Sequence, residues 1–80
     1  MNYFKTLNGA IQEVENYTQL KGYKILFPDH FWVEHIYAGK TSKYSFPIKL
    51  LKTGNLAKKW IHFQIYRMDS GLYELNYYLN

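Results

Sequence analysis

The chain contains no cysteine. That excludes a disulfide framework and a thiolate metal site, and it suits a reducing compartment. Carboxylates are few, six in eighty residues, and Asp29 and Asp69 are better read as a cap and a turn residue than as paired acids. No run approaches the roughly 18 apolar residues needed to span a membrane. The start, MNYFKTLNGAIQEVE, lacks an apolar h-region and soon turns acidic, unlike a signal peptide. No glycine-rich loop is present to cradle a phosphate. These absences lead to an expectation of a cytoplasmic protein, of a cell or of a virus-infected cell, with no membrane partner.

What the chain does have is aromatic side chains: nine Tyr, five Phe and two Trp, together 20% of the residues. They bury large areas, which helps a small core, and they are enriched at interfaces. Eighty residues make one domain, expected to span 1–80. Charge is uneven. In residues 1–40 four lysines offset four carboxylates, whereas residues 41–80 hold five lysines and Arg67 against Asp69 and Glu74, so the whole excess of +4 lies in the second half. Such asymmetry points to an anionic partner.

The periodicity predicts one helix over residues 2–21, with Phe4, Leu7, Ala10, Ile11, Val14, Tyr17 and Leu20 on one stripe. Asn2 is the expected N-cap and Gly22 the stop. Gly9 weakens this helix by about 1 kcal/mol relative to Ala unless it admits a close neighbour. Tyr23–Phe27 reads as a short strand or extended link ending at Pro28. Residues 28–37 fit either a capped helical turn or a strand, the reading adopted being an irregular start followed by a strand. Ala38–Ser42 reads as a loop and Tyr44–Leu51 as a strand with Tyr44, Phe46, Ile48 and Leu50 on one face. Pro47 cannot donate to a ladder, so this strand lies at an edge or is bulged there. A two-residue Gly54-Asn55 turn would pair Pro47 with His62, where a donor is wanted, so a bulge or a longer loop is expected.

Trp60–Asn80 is the most informative stretch. Asp69-Ser70-Gly71 suits a three-residue hairpin loop with Gly71 left-handed. Ile65 then meets Leu75, Phe63 meets Tyr77 and Ile61 meets Leu79. On the other face Tyr66 meets Glu74, Gln64 meets Asn76 and His62 meets Tyr78. A one-residue slip would set Ile65 against Asn76. Arg67 falls opposite Tyr73 and is expected to stack on that ring or to pair with Asp69. The expected fold is α+β: one N-terminal helix on one face of a three- or four-stranded antiparallel meander. The order of a helix and then three strands resembles the first part of double-stranded-RNA-binding domains and of small HicA-type toxins. The closing helix of the one and the Gly-Ser-His strand motif of the other are missing, so no residue is carried over.

Chemistry has few candidates. His30, Glu34 and His35 are spaced H-x-x-x-E-H, which puts the two histidines on different sides of a helix and on opposite faces of a strand, a poor metal-ligand geometry. The serines at 42, 45 and 70 lack a nucleophile-elbow pattern, and His62 beside Tyr78 is the sole acid–base candidate. The expectation is therefore a non-enzymatic protein without cofactor or metal. With one helix available, the sheet face of Trp60, His62, Gln64, Tyr66, Glu74, Asn76 and Tyr78 is left uncovered, with Lys49, Lys58 and Lys59 nearby. This is the expected partner-binding surface. The leading reading is a small protein that binds a host protein, an inhibitor or accessory factor of the kind phages and mobile elements encode. Closure of a homodimer across the same face is a variant of it. Nucleic-acid binding through the basic half is an alternative, although Glu74 would repel phosphate. A small ribonuclease-like enzyme using His62 is a second alternative.

Overall fold

The computed structural model describes residues 2–80. Five antiparallel strands and one helix follow the order β1 (Asn2–Phe4), α1 (Leu7–Leu20), β2 (Tyr23–Ile25), β3 (Thr41–Leu50), β4 (Leu56–Arg67) and β5 (Tyr73–Leu79). In space the sheet runs β1-β5-β4-β3-β2. The α+β class with a single helix holds. The strand count is five rather than three or four, and a strand now precedes the helix, so the topological resemblance above does not survive.

The extra strand comes from the first residues, which the apolar stripe had assigned to the helix. Asn2, Tyr3 and Phe4 pair with Leu75, Glu74 and Tyr73 at one edge of the sheet. The helix begins after Thr6, whose extended backbone and side chain, accepting from the Gly9 N–H at 3.0 Å, form the N-cap. Thr6 therefore takes the role expected of Asn2. A Cβ on Gly9 would lie 3.1 Å from that Thr6 oxygen, which explains a glycine inside the first turn. At the other end Gly22, at φ 92°, stops the helix and returns its N–H to Gln19.

Two different pieces of chain cover one face of the sheet. Helix α1 lies against β1, β2, β4 and β5 with Ala10, Val14 and Thr18 buried, while Leu20, expected on the apolar stripe, is 87% exposed. The buried Thr18 hydroxyl is satisfied by donating to the Val14 carbonyl at 2.7 Å. The β3 side is covered by residues 26–40, which form no strand, contrary to expectation. This segment instead sends its aromatics inward. Phe27 and Phe31 stack at 4.9 Å and meet Phe46 edge-on, and Phe31 also meets Tyr44. Ile36 is buried as well. Pro28 and the left-handed His30 (φ 61°) interrupt any regular pairing there.

Arg67 fastens this segment to the final hairpin. Its guanidinium donates to the Ile36 carbonyl at 3.0 Å, meets His35 Nε2 at 3.1 Å and stands 5.5 Å over the Tyr73 ring. Of the two partners expected for it, Tyr73 is taken.

Candidate functional site

Register decides which side chains share a face, and it is observed on both sides of β4. The β4–β5 pairs Ile61–Leu79, His62–Tyr78, Phe63–Tyr77, Gln64–Asn76, Ile65–Leu75 and Tyr66–Glu74 are those that a three-residue loop requires. Met68 and Leu72 close that loop at 2.8 Å, and Gly71 sits at φ 91°. Between β3 and β4, Phe46 faces Ile61, Tyr44 faces Phe63 and Pro47 faces Trp60, two residues away from the two-residue-turn register. A shift of two keeps every side chain on its face. The slack is absorbed by a longer loop and a bulge: three residues of β4, 57–59, span where β3 uses one.

Ile48, Ile61, Phe63, Ile65, Tyr73 and Leu75 turn inward and are buried. The opposite side chains form rows across the uncovered face. One row is Tyr3, Glu74, Tyr66 and Thr41; the next is Asn76, Gln64 and Lys43; the third is Tyr78, His62 and Ser45; the fourth begins with Trp60 and Pro47. Six of the seven expected hairpin residues thus lie in three adjoining rows, with Trp60 at the end. Trp60 is 46% and Tyr78 56% exposed. Lys49 continues the face toward β2, where it pairs with Lys24. Lys58 and Lys59 are exposed in the bulged stretch, outside the rows that β3 and β5 pair with.

The third row is the most organised. His62 stacks on Tyr78 with ring centroids 4.8 Å apart and planes 22° apart, and its Nδ1 lies 2.7 Å from the Ser45 hydroxyl. Ser45 and, in the adjoining row, Lys43 are site residues that sequence reasoning missed, because their partners depend on the β3–β4 register. Lys43, Ser45, His62, Gln64, Asn76 and Tyr78 line a shallow depression of about 270 Å³. The nearest carboxylate on the same strands, Glu74, is two rows from His62, on the order of 14 Å along the strand. A hydroxyl and an imidazole without an orienting carboxylate do not make the nucleophile, base and orienter set of acyl transfer. Stacking spends one face of each ring on the other, leaving edges and outer faces to meet a ligand.

The His30, Glu34 and His35 group is not assembled: His35 is engaged by Arg67, and His30 is exposed in its turn. Among the described residues no group of three or more His, Asp or Glu side chains is placed to hold a metal, and no helix is long and apolar enough to cross a membrane. No protein-family model matches the chain, and no curated protein or solved structure matches it significantly.

Proposed function

We propose that this is a small non-enzymatic binding protein whose working surface is the open sheet face and whose partner is another protein. The observation that carries the reading is the exposure of Trp60 and Tyr78 beside Gln64, Asn76 and the tied Ser45–His62 pair, all mounted on paired strands. Rigid, half-exposed aromatics among amides lose little entropy on binding and are the composition of protein hot spots. Trp60 and Tyr78 lie in adjoining rows of the face, and exposed aromatics grouped with amides support an interface over a merely solvated face. Acting by occupancy, such a protein would serve as a stoichiometric inhibitor or accessory factor in the cytoplasm, including one carried by a phage or mobile element.

Nucleic-acid binding is a second reading, favoured by the three lysines Lys24, Lys43 and Lys49 on the same face. Glu74 and the mutually stacked His62 and Tyr78 weigh against it, because a base needs a free ring face and a phosphate needs no acid near it.

Affinity capture from the native host separates the two. The protein reading predicts a partner that survives nuclease treatment and is lost with Tyr66→Ala or Tyr78→Ala while the variants keep the wild-type circular dichroism. Capture that vanishes with nuclease, or that falls steeply with salt and with Lys43→Glu, would replace the protein reading by the nucleic-acid one.

A further inference from the structure

The direction of the backbone groups along β3 exposes a second surface. Trp60 and Asn80 exchange both hydrogen bonds, so the even residues of β4 point their N–H and C=O groups at β5 and the odd ones at β3. Ile61, Phe63 and Ile65 are thus hydrogen-bonded to Phe46, Tyr44 and Ser42. It follows that Thr41, Lys43, Ser45 and Pro47 aim their backbone groups away from β4. The Pro47 carbonyl confirms the direction, accepting from the Leu26 N–H at 3.0 Å on the β2 side.

Strand β2 covers only part of that outer side. Its three residues pair with Ile48, Lys49 and Leu50, and the chain then turns under the sheet. From Thr41 to Ser45 the outer groups have no backbone partner among the described residues, and Thr41, Lys43 and Ser45 are all exposed. The length is about 17 Å of strand. Pro47 stands where this open edge ends: its missing N–H takes no bond from the β3–β4 ladder, and on the β2 side its carbonyl alone is paired, to Leu26.

We infer that the β3 edge, Thr41–Ser45, is a strand-addition site for an extended segment of a partner protein that alternates acidic and apolar residues. Added strands bind through main-chain hydrogen bonds, and side-chain alternation sets specificity. An added strand would put alternate side chains beside Lys43 on the open face, where Lys24 and Lys49 are the next charged residues along the same side and no carboxylate stands in either pairing. The intervening ones would lie beside Tyr44 and Phe46 on the face where Phe31 packs. A second copy of this chain fits less well: fully overlapped antiparallel pairing of the two edges would set Lys43 against its own copy, and like charges directly opposite are destabilising. The inference stands apart from the reading of the open face. A footprint on the edge alone would overturn that reading and keep this one.

The test uses the ¹⁵N-labelled protein and a synthetic peptide, Thr-Val-Glu-Val-Glu-Val-Thr. In the free protein the amides of Thr41, Lys43 and Ser45 should exchange quickly and those of Ser42, Tyr44 and Phe46 slowly. Saturating peptide should slow the first set at least about tenfold, and a peptide with Lys for Glu should bind about tenfold more weakly at low salt. Ser45→Pro removes one outward N–H while leaving the β4 ladder intact, and should abolish binding with the slow set still slow. Should that variant fail to fold, the same peptide N-methylated at alternate amides gives the equivalent answer without touching the protein. Outward amides already slow in the free protein, outward amides unmoved by the peptide, or an N-methylated peptide that binds as well as the parent would each overturn the inference.

Discussion

Replacing Arg67 by Met removes the guanidinium but keeps an apolar stem over Tyr73. The native side chain makes a charge-assisted hydrogen bond to the carbonyl of the buried Ile36, a second contact to His35 and a cation–π contact with Tyr73. A hydrogen bond from a charged donor contributes about 1.5–3 kcal/mol and an exposed cation–π contact about 0.5–1 kcal/mol. Against this, Arg67 Nε is buried without a partner, and removing an unsatisfied group returns about 1–3 kcal/mol. The balance is a loss of about 1 kcal/mol. At about 4–8 °C per kcal/mol for a domain of this size, Arg67→Met should melt roughly 4–8 °C below the wild type. The loss should be local before it is global: the Phe31 and Gly39 amides, bonded to Pro28 and to the Arg67 carbonyl, should exchange faster while those of β4 do not. Thermal melts followed by circular dichroism and amide exchange by NMR measure both. A variant melting within about 2 °C of wild type with unchanged exchange in residues 26–40 would refute the claim that Arg67 fastens this segment.

Ile61→Ala opens a cavity beneath the centre of the sheet at a side chain with no exposure, and should cost about 3 kcal/mol in denaturant unfolding. Gly71→Ala meets no atom within 4 Å of the new Cβ, so its cost should be the backbone penalty alone, about 1–2 kcal/mol, read from the same unfolding curves. Thr6→Ala should cost about 1 kcal/mol, and Thr6→Asp should recover it if the side chain acts as the helix cap.

The hairpin register was legible because two independent signals agree: the Asp69-Ser70-Gly71 loop length and the matching of apolar with apolar residues across Ile61–Leu79, Phe63–Tyr77 and Ile65–Leu75. The open face followed from it by alternation. The N-terminal strand was not legible, because Phe4 falls three residues before Leu7 and so fits the helical stripe, and only pairing with Tyr73 across the whole chain overrides that local fit. Residues 26–40 were misread for a related reason. Phe27, Phe31, Val33 and Ile36 have no strand period; they answer to an aromatic cluster on β3 rather than to a ladder. Ser45 and Lys43 were overlooked as neighbours of His62 and Gln64 because the β3–β4 register rests on the bulge at residues 57–59, whose presence Pro47 signals but whose size it does not.

Contact of a partner protein with the sheet's open face is measured most directly by the amide and side-chain NMR footprint of that purified partner, once captured, on the labelled protein. Trp60, His62, Gln64, Tyr66, Asn76 and Tyr78 should be perturbed, with α1 unmoved. A footprint centred on α1 or on residues 26–40, leaving Trp60 and Tyr78 unchanged, would contradict that contact.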